Sequence, residues 1–203
     1  MKPRFISPRQ MSEITECFLK KFNPSDSIPV DIDFIAEKYF GIDIVPSPGL
    51  MHEAQVDALT SMDLTQINVD EEKFKLGSNR ARFSIAHELG HIYLHKNYIL
   101  SKKFSNEKDW REFILTDIHR DPMETQANMF AAHVLMPRSH LAKEFAKAKE
   151  ALLKPLSAKD KKVAVAAGDK ALAVYAARSM AKIFDVSEVY AKNRVTNWLE
   201  NGY

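Results

Sequence analysis

One cysteine, Cys17, is all that the 203 residues contain. A lone thiol excludes an intrachain disulfide and any cage of cysteines around a metal. Placed at helical spacing between Ile14 and Phe18, Cys17 reads as a core residue. Charge of one sign is also scarce: 29 Lys and Arg stand against 27 Asp and Glu, a net +2, too little to argue for nucleic acid on its own. Long apolar runs are missing. The most apolar later stretch, 163–177, is broken by Gly168, Asp169 and Lys170 and falls short of the roughly 20 residues that a membrane span needs. The start, Met1-Lys2-Pro3-Arg4-Phe5-Ile6-Ser7-Pro8, lacks the uninterrupted apolar segment of a secretion signal. These absences point to a cytoplasmic protein. With 45% hydrophobic and 28% charged residues, the composition is that of an ordinary globular chain, long enough for one sizeable core and a small appendage.

What is present is concentrated in His87-Glu88-Leu89-Gly90-His91-Ile92-Tyr93-Leu94-His95. On a helix, each residue turning about 100°, Ser84, His87, Glu88, His91 and His95 fall in one arc, with Ile85, Leu89, Ile92 and Tyr93 opposite. A helix apolar over so much of its circumference is buried, and a buried stripe of three histidines and a carboxylate must be satisfied by something. His87 and His91, one turn apart, can share a zinc ion, with Glu88 beside the open coordination position. The competing reading, a chance His-Glu-x-x-His on a solvated helix, sits badly with apolar neighbours on both flanks.

Upstream, Ser7-Pro8-Arg9-Gln10 has the form of a helix start, serine capping and glutamine in the capping-box place, with Met11, Ile14, Phe18 and Phe22 on one face. A second helix, 34–40, is stopped by Gly41, and 42–45 reads as a strand closed by a turn at Pro46-Ser47-Pro48-Gly49. From 59 to 69 the pattern suggests two short strands around Asp63. A strand next to the histidine helix offers an edge on which an extended peptide can pair; a plain structural hairpin is the alternative, and spacing does not decide. Arg80 and Arg82 can simply be solvated. Trp110, Phe113, Ile114 and Leu115 suggest a packed segment forming a wall near the site.

Catalytic zinc takes three protein donors and leaves a fourth position for water. His95 lies a full turn beyond His91, too far along the helix to close the tetrahedron, and reads as a hydrogen-bonded neighbour. Glu124 is the better candidate: Asp121-Pro122 opens a helix on which Ala127 and Ala131 share its flank, and small residues there let that helix approach the first. Asn128, one turn later, is placed to orient Glu124. Asp121 and Glu124 also have capping-box spacing, in which Glu124 would only reach back to the cap; that alternative stays open on spacing alone.

Two paired stretches, Arg82-Phe83-Ser84-Ile85-Ala86-His87-Glu88-Leu89-Gly90-His91 with Leu94-His95, and Glu124-x-x-Ala127-Asn128-x-Phe130-Ala131-Ala132 running into Val134-Leu135-Met136-Pro137, resemble the ImmA/IrrE family of bacterial and phage metallopeptidases. The likeness covers about 28–137, with a weaker echo near the C-terminus. It implies zinc held by His87, His91 and Glu124, Glu88 as general base, and a protein substrate that is a helix-turn-helix transcriptional repressor, so that a mobile element or stress regulon is derepressed. His133 departs from the acidic residue common in the family, and it is carried as a neighbour of the site with His95 and Asn128. Tyr93, Tyr98, His119 and His133 are the candidates for stabilising an oxyanion, Tyr93 being the weakest because it points away from the metal face.

The expected fold is α+β: a mostly helical, zincin-like core, 1–137, with a small β-sheet next to the His-Glu-x-x-His helix, then a C-terminal helical, helix-turn-helix-like portion, 138–203. In the latter, Lys182, Lys192 and Arg194 are balanced by Asp185, Glu188 and Glu200, a thin basic stripe that argues against direct DNA binding and for support of the core or substrate docking. The competing function is a non-catalytic zinc-binding regulator acting through protein or DNA contacts. Such a closed metal site would need a fourth protein ligand and would have no use for Glu88.

Overall fold

Ser7 opens the first helix as its neighbours dictate. In the computed structural model, which describes residues 4–115 and 122–203, α1 (Pro8–Phe22) starts with a complete capping box: Ser7 Oγ accepts from the Gln10 N–H and Gln10 Oε1 accepts from the Ser7 N–H at 2.9 Å. Its buried face is Met11, Thr15 and Phe18. Cys17 is exposed, against the expectation of a core thiol. At about 100° per residue it lies roughly 140° from the centre of that face, with Ile14 at the boundary.

α2 (Ile32–Phe40) is capped by Asp31, which accepts from the Phe34 N–H, and closed by Gly41 at φ +62°, the left-handed conformation that favours glycine. β1 (Asp43–Ser47) runs two residues past the expected stop at Val45 and includes Pro46. An edge strand tolerates the missing N–H. α3 (Leu50–Ala54), one short turn absent from the sequence reading, leads to β2 (Ala58–Thr60) and β3 (Gln66–Asp70). Asp63 builds the turn between them, accepting from the Thr65 N–H at 3.1 Å and Thr65 Oγ1 at 2.8 Å. β1 is parallel and β2 antiparallel to the central β3, in the order β1-β3-β2, so among the described residues β2 has a strand on one side and a free edge on the other.

α4 (Glu71–Lys75) turns the chain into α5 (Asn79–Ser101), whose first turn is capped by Ser78. At 23 residues α5 is the longest helix described, and none of the described helices is long and apolar enough to cross a membrane. α6 (Glu107–Leu115) and α7 (Pro122–Leu135) follow, then α8 (Arg138–Leu153), α9 (Ala158–Ala166), α10 (Gly168–Phe184) and α11 (Glu188–Asn201). The chain is thus mostly helical with one small sheet, the α+β arrangement expected.

One hydrophobic cluster runs from Ile6 to Val195 and includes residues from both sides of position 138. The C-terminal helices are fastened to the start of α5. Arg82 pairs with Asp185 at 3.2 Å and donates to the Val30 carbonyl at 3.0 Å, and Phe83 packs edge-on against Tyr190 at 4.9 Å. Arg80 pairs with Asp57, so neither arginine is merely solvated. Arg194 is 4% exposed and donates to the main-chain oxygen of Tyr203 at 2.8 Å. Buried in this way, it is removed from the basic stripe considered for phosphate contact.

Candidate metal centre

Two helices make the site because they can approach. Gly90 of α5 lies against α7 so closely that a Cβ there would meet Phe130 Cδ1 at 3.0 Å and Ala127 Cα at 3.3 Å. This contact brings Glu124, one turn before Ala127, across from His87 and His91. Glu124 Oε2 lies 3.1 Å from His87 Nε2, Glu124 Oε1 lies 3.0 Å from His91 Nε2, and the two Nε2 atoms are 3.0 Å apart. The carboxylate therefore reaches the histidines. Asp121, its alternative partner in a capping box, lies outside the described residues.

Two nitrogens 3.0 Å apart, each with one oxygen of the Glu124 carboxylate beside it, suit a tetrahedral ion. With metal–nitrogen bonds of about 2.0–2.1 Å, the nitrogen–nitrogen edge comes to about 3.3–3.4 Å, a few tenths beyond the 3.0 Å between the two Nε2 atoms. Two imidazoles and a carboxylate are also the donor set of a catalytic zinc site, and among the described residues these three form a group able to hold a metal.

Without an ion the three groups support one another. Burial opposes ionisation of Glu124, but hydrogen bonds and charge from His87 and His91 outweigh it and bring its pKa down to about 2. Burial likewise opposes protonation of His87, yet the hydrogen bond to Glu124 and the charges of Glu88 and Glu124 leave its pKa above the ordinary value.

Each histidine is held on its far side. His87 Nδ1 lies 3.0 Å from Asn128 Oδ1, so Asn128, expected to orient Glu124, holds a histidine instead. His91 Nδ1 lies 3.3 Å from His95 Nδ1, and His95 Nε2 lies 3.0 Å from Gln126 Oε1. Gln126 in turn donates to the Arg4 carbonyl at 2.9 Å. Gln126 was not anticipated. Its polar side chain on the buried face of α7, between Met123 and Phe130, was the available signal.

Glu88 is gripped by the sheet: its Oε2 accepts from Thr60 Oγ1 at 2.5 Å and from the Thr60 N–H at 3.0 Å. Trp110, 2% exposed, donates its indole N–H to the Thr60 carbonyl at 3.0 Å and pins α6 over β2. Thr60, too, was missed, and its local sequence holds no sign of the contact.

These elements enclose a cleft of about 480 Å³. Ala58, Leu59 and Thr60 of β2 form one side and Trp110, Phe113 and Ile114 of α6 another, with His87, Glu88, His91 and Glu124 at the bottom. The segment with Trp110 is therefore a wall, as its composition suggested. Ser61 donates its N–H to the Gln66 carbonyl and Asp70 donates to the Asp57 carbonyl. Residues 57 and 61 thus face β3, and by strand alternation the main-chain groups of Ala58 and Thr60 face away from it, at the free edge.

His133 does not join the site. Nine residues after Glu124, it lies half a turn round α7, buried, with its pKa lowered to about 3 by burial and by the Arg194 charge. Tyr93 lies in an aromatic group with Phe18 and Phe130, and Tyr98 is not among the residues lining the cleft. His119 lies outside the described residues. Ser84 and Thr125 are hydroxyl donors that do line the cleft.

Comparison with known proteins matches residues 38–195 to the model of a peptidase family described as the IrrE N-terminal-like domain. Searches among curated proteins and among solved structures found no match.

Proposed function

Because the chain belongs to the IrrE N-terminal-like family of metallopeptidases, we propose that it is a cytoplasmic zinc-dependent endopeptidase whose substrate is a helix-turn-helix transcriptional repressor, cleaved to relieve repression of a mobile element or stress regulon. The observation that carries the reading is the convergence of His87, His91 and Glu124 at 3.0–3.1 Å beside a carboxylate that is not one of the three. A closed structural site would require a fourth protein donor. His95 is turned to His91 and Gln126 instead.

In the proposed reaction His87, His91 and Glu124 would hold the ion, which would supply Lewis acidity and lower the pKa of water toward neutral. Glu88 is the general base, taking the attacking water's proton and delivering it to the departing amine. Thr60 ties down Oε2 of Glu88, leaving Oε1 for the proton, and fixes the carboxylate against the cleft floor. An extended segment of substrate lies along β2, where the Ala58 main chain offers an N–H and a carbonyl. The Thr60 main-chain groups at that edge are committed to Glu88 and Trp110. The pairing stretch is therefore short, and the aromatic wall of α6 contributes to binding beside it.

The test compares new protein N-termini in cells making the wild type or Glu88→Gln. The expected result is a small set of termini, present only with the wild type, that map to a helix-turn-helix regulator. No difference under DNA-damaging conditions, with zinc shown to be bound, would favour the non-catalytic regulator.

A further inference from the structure

We infer that a hydrogen-bond relay from the Arg4 carbonyl through Gln126 and His95 sets His91 in the one tautomer a metal can use, and that Gln126 and His95 are positioning residues of the metal centre. The inference rests on the reading of His87, His91 and Glu124 as metal donors.

The polarity of the relay follows from its end. A main-chain carbonyl only accepts, so the Gln126 amide must turn its Nε2 hydrogens to Arg4 at 2.9 Å. Its Oε1 then faces His95 Nε2 at 3.0 Å and can only accept, so His95 carries its proton on Nε2. A neutral imidazole protonated there has its lone pair on Nδ1. That lone pair faces His91 Nδ1 at 3.3 Å, so His91 must donate from Nδ1. His91 Nε2 is then the nitrogen whose lone pair is offered to a bound metal, on the side where His87 and Glu124 converge.

His87 receives the same instruction in one step, from Asn128 Oδ1 at 3.0 Å. Two amide side chains of α7 thus prepare both imidazoles. Gln126 and His95 are 2% and 3% exposed, which keeps bulk water from substituting for either partner. A carboxylate at 126 would still accept from His95 but could not donate to Arg4. The amide is the group that does both, and it joins the segment entering α1 to the metal centre.

The test measures zinc affinity of the full chain by competition with a chromogenic chelator, and the visible spectrum of the cobalt-substituted protein, with circular dichroism to verify folding. Gln126→Leu removes the acceptor for His95 and is expected to lose about 10- to 100-fold in zinc affinity, with an altered cobalt spectrum. Gln126→Glu keeps the acceptor for His95 while losing the bond to Arg4, and is expected to lose less than Gln126→Leu. His95→Phe should lose as much as Gln126→Leu, and the double variant no more than either alone.

A packing role predicts the reverse order, leucine tolerated and the buried glutamate harmful. Wild-type affinity in Gln126→Leu, or weaker binding by Gln126→Glu than by Gln126→Leu, overturns the relay. Should Gln126→Leu not fold, His95→Phe against Gln126→Glu makes the same comparison. Absence of zinc binding by the wild type, or an unchanged affinity in His91→Ala, would instead bring down the metal centre itself.

Discussion

Replacing Gly90 with alanine sets two opposed effects against each other at the tightest contact of the site. Alanine in a helix interior is favoured over glycine by about 0.8–1 kcal/mol. The added Cβ, however, would stand 3.0 Å from Phe130 Cδ1 and 3.3 Å from both Phe130 Cβ and Ala127 Cα, where carbon atoms prefer about 3.5–4.0 Å. Neither neighbour yields easily. The Phe130 ring is wedged between Phe18 at 5.0 Å and Tyr93 at 5.6 Å, and Ala127 Cα is backbone. Relief requires α7 to move by several tenths of an ångström, and overpacking of this kind costs about 1–3 kcal/mol. The balance is a net loss of about 1 kcal/mol, or roughly 2–4 °C in Tm for a chain of this size. Glu124 rides on α7, so the donor triangle opens and zinc affinity falls as well. Thermal unfolding in chelator, followed by zinc titration, reads both effects. Adding Phe130→Leu removes the ring atom that makes the shortest contact and should restore part of the affinity. A higher Tm for Gly90→Ala with unchanged zinc binding would refute the reasoning, because it would mean that the helices have room.

Thr60→Val keeps the main-chain bond to Glu88 and removes the hydroxyl, a charge-assisted bond of about 1.5–3 kcal/mol, so kcat should fall roughly 10- to 100-fold with zinc affinity intact. Thr60→Ser should recover activity, and an equal loss in the serine variant would rule out the hydroxyl. The metal-free site should stabilise the fold most between pH 4.5 and 6.5. Glu124, its pKa lowered from 4.5, contributes above that value and loses its contribution as pH falls toward 2; His87, its pKa raised from 6.5, contributes below that value and loses it as pH rises through the folded pKa. The stability difference between wild type and Glu124→Gln in chelator, measured against pH, should therefore peak in that window, and a flat difference would count against the coupling. His133, buried neutral, holds its full contribution above pH 6.5 and loses it as pH falls toward about 3. His133→Gln should flatten the acid limb of the unfolding curve, and an unchanged limb would place the acid sensitivity elsewhere.

What could be read in advance was chemistry confined to neighbouring residues. Ser7 with Gln10 and Gly41 after α2 complete their bonds within a turn of chain, so their residue types suffice. The His87–His91 pair is of the same kind, and the likeness of the stretch around Glu124 to a known family supplied what one turn of helix could not. Thr60 with Glu88 and Gln126 with Arg4 are 28 and 122 residues apart. Such contacts depend on where the sheet and α1 dock, which no local pattern records.

Yet three of the surprises share a signature. Gln126 stands among Met123, Ala127 and Phe130, His133 among Phe130 and Val134, and Arg194 among Ala191 and Val195, each a polar side chain inside an apolar stripe at helical spacing. A polar group so placed is buried and must be satisfied, so the spacing that betrays the core also betrays the need for a partner. Arg194 was read as part of a surface stripe because its charge was weighed before its position at i+3 from Ala191. Weighing position first would have taken it off the surface and put Gln126 on the same footing as His95: a buried donor and acceptor on a helix that faces the histidines, where the groups still in need of partners belong to the metal centre.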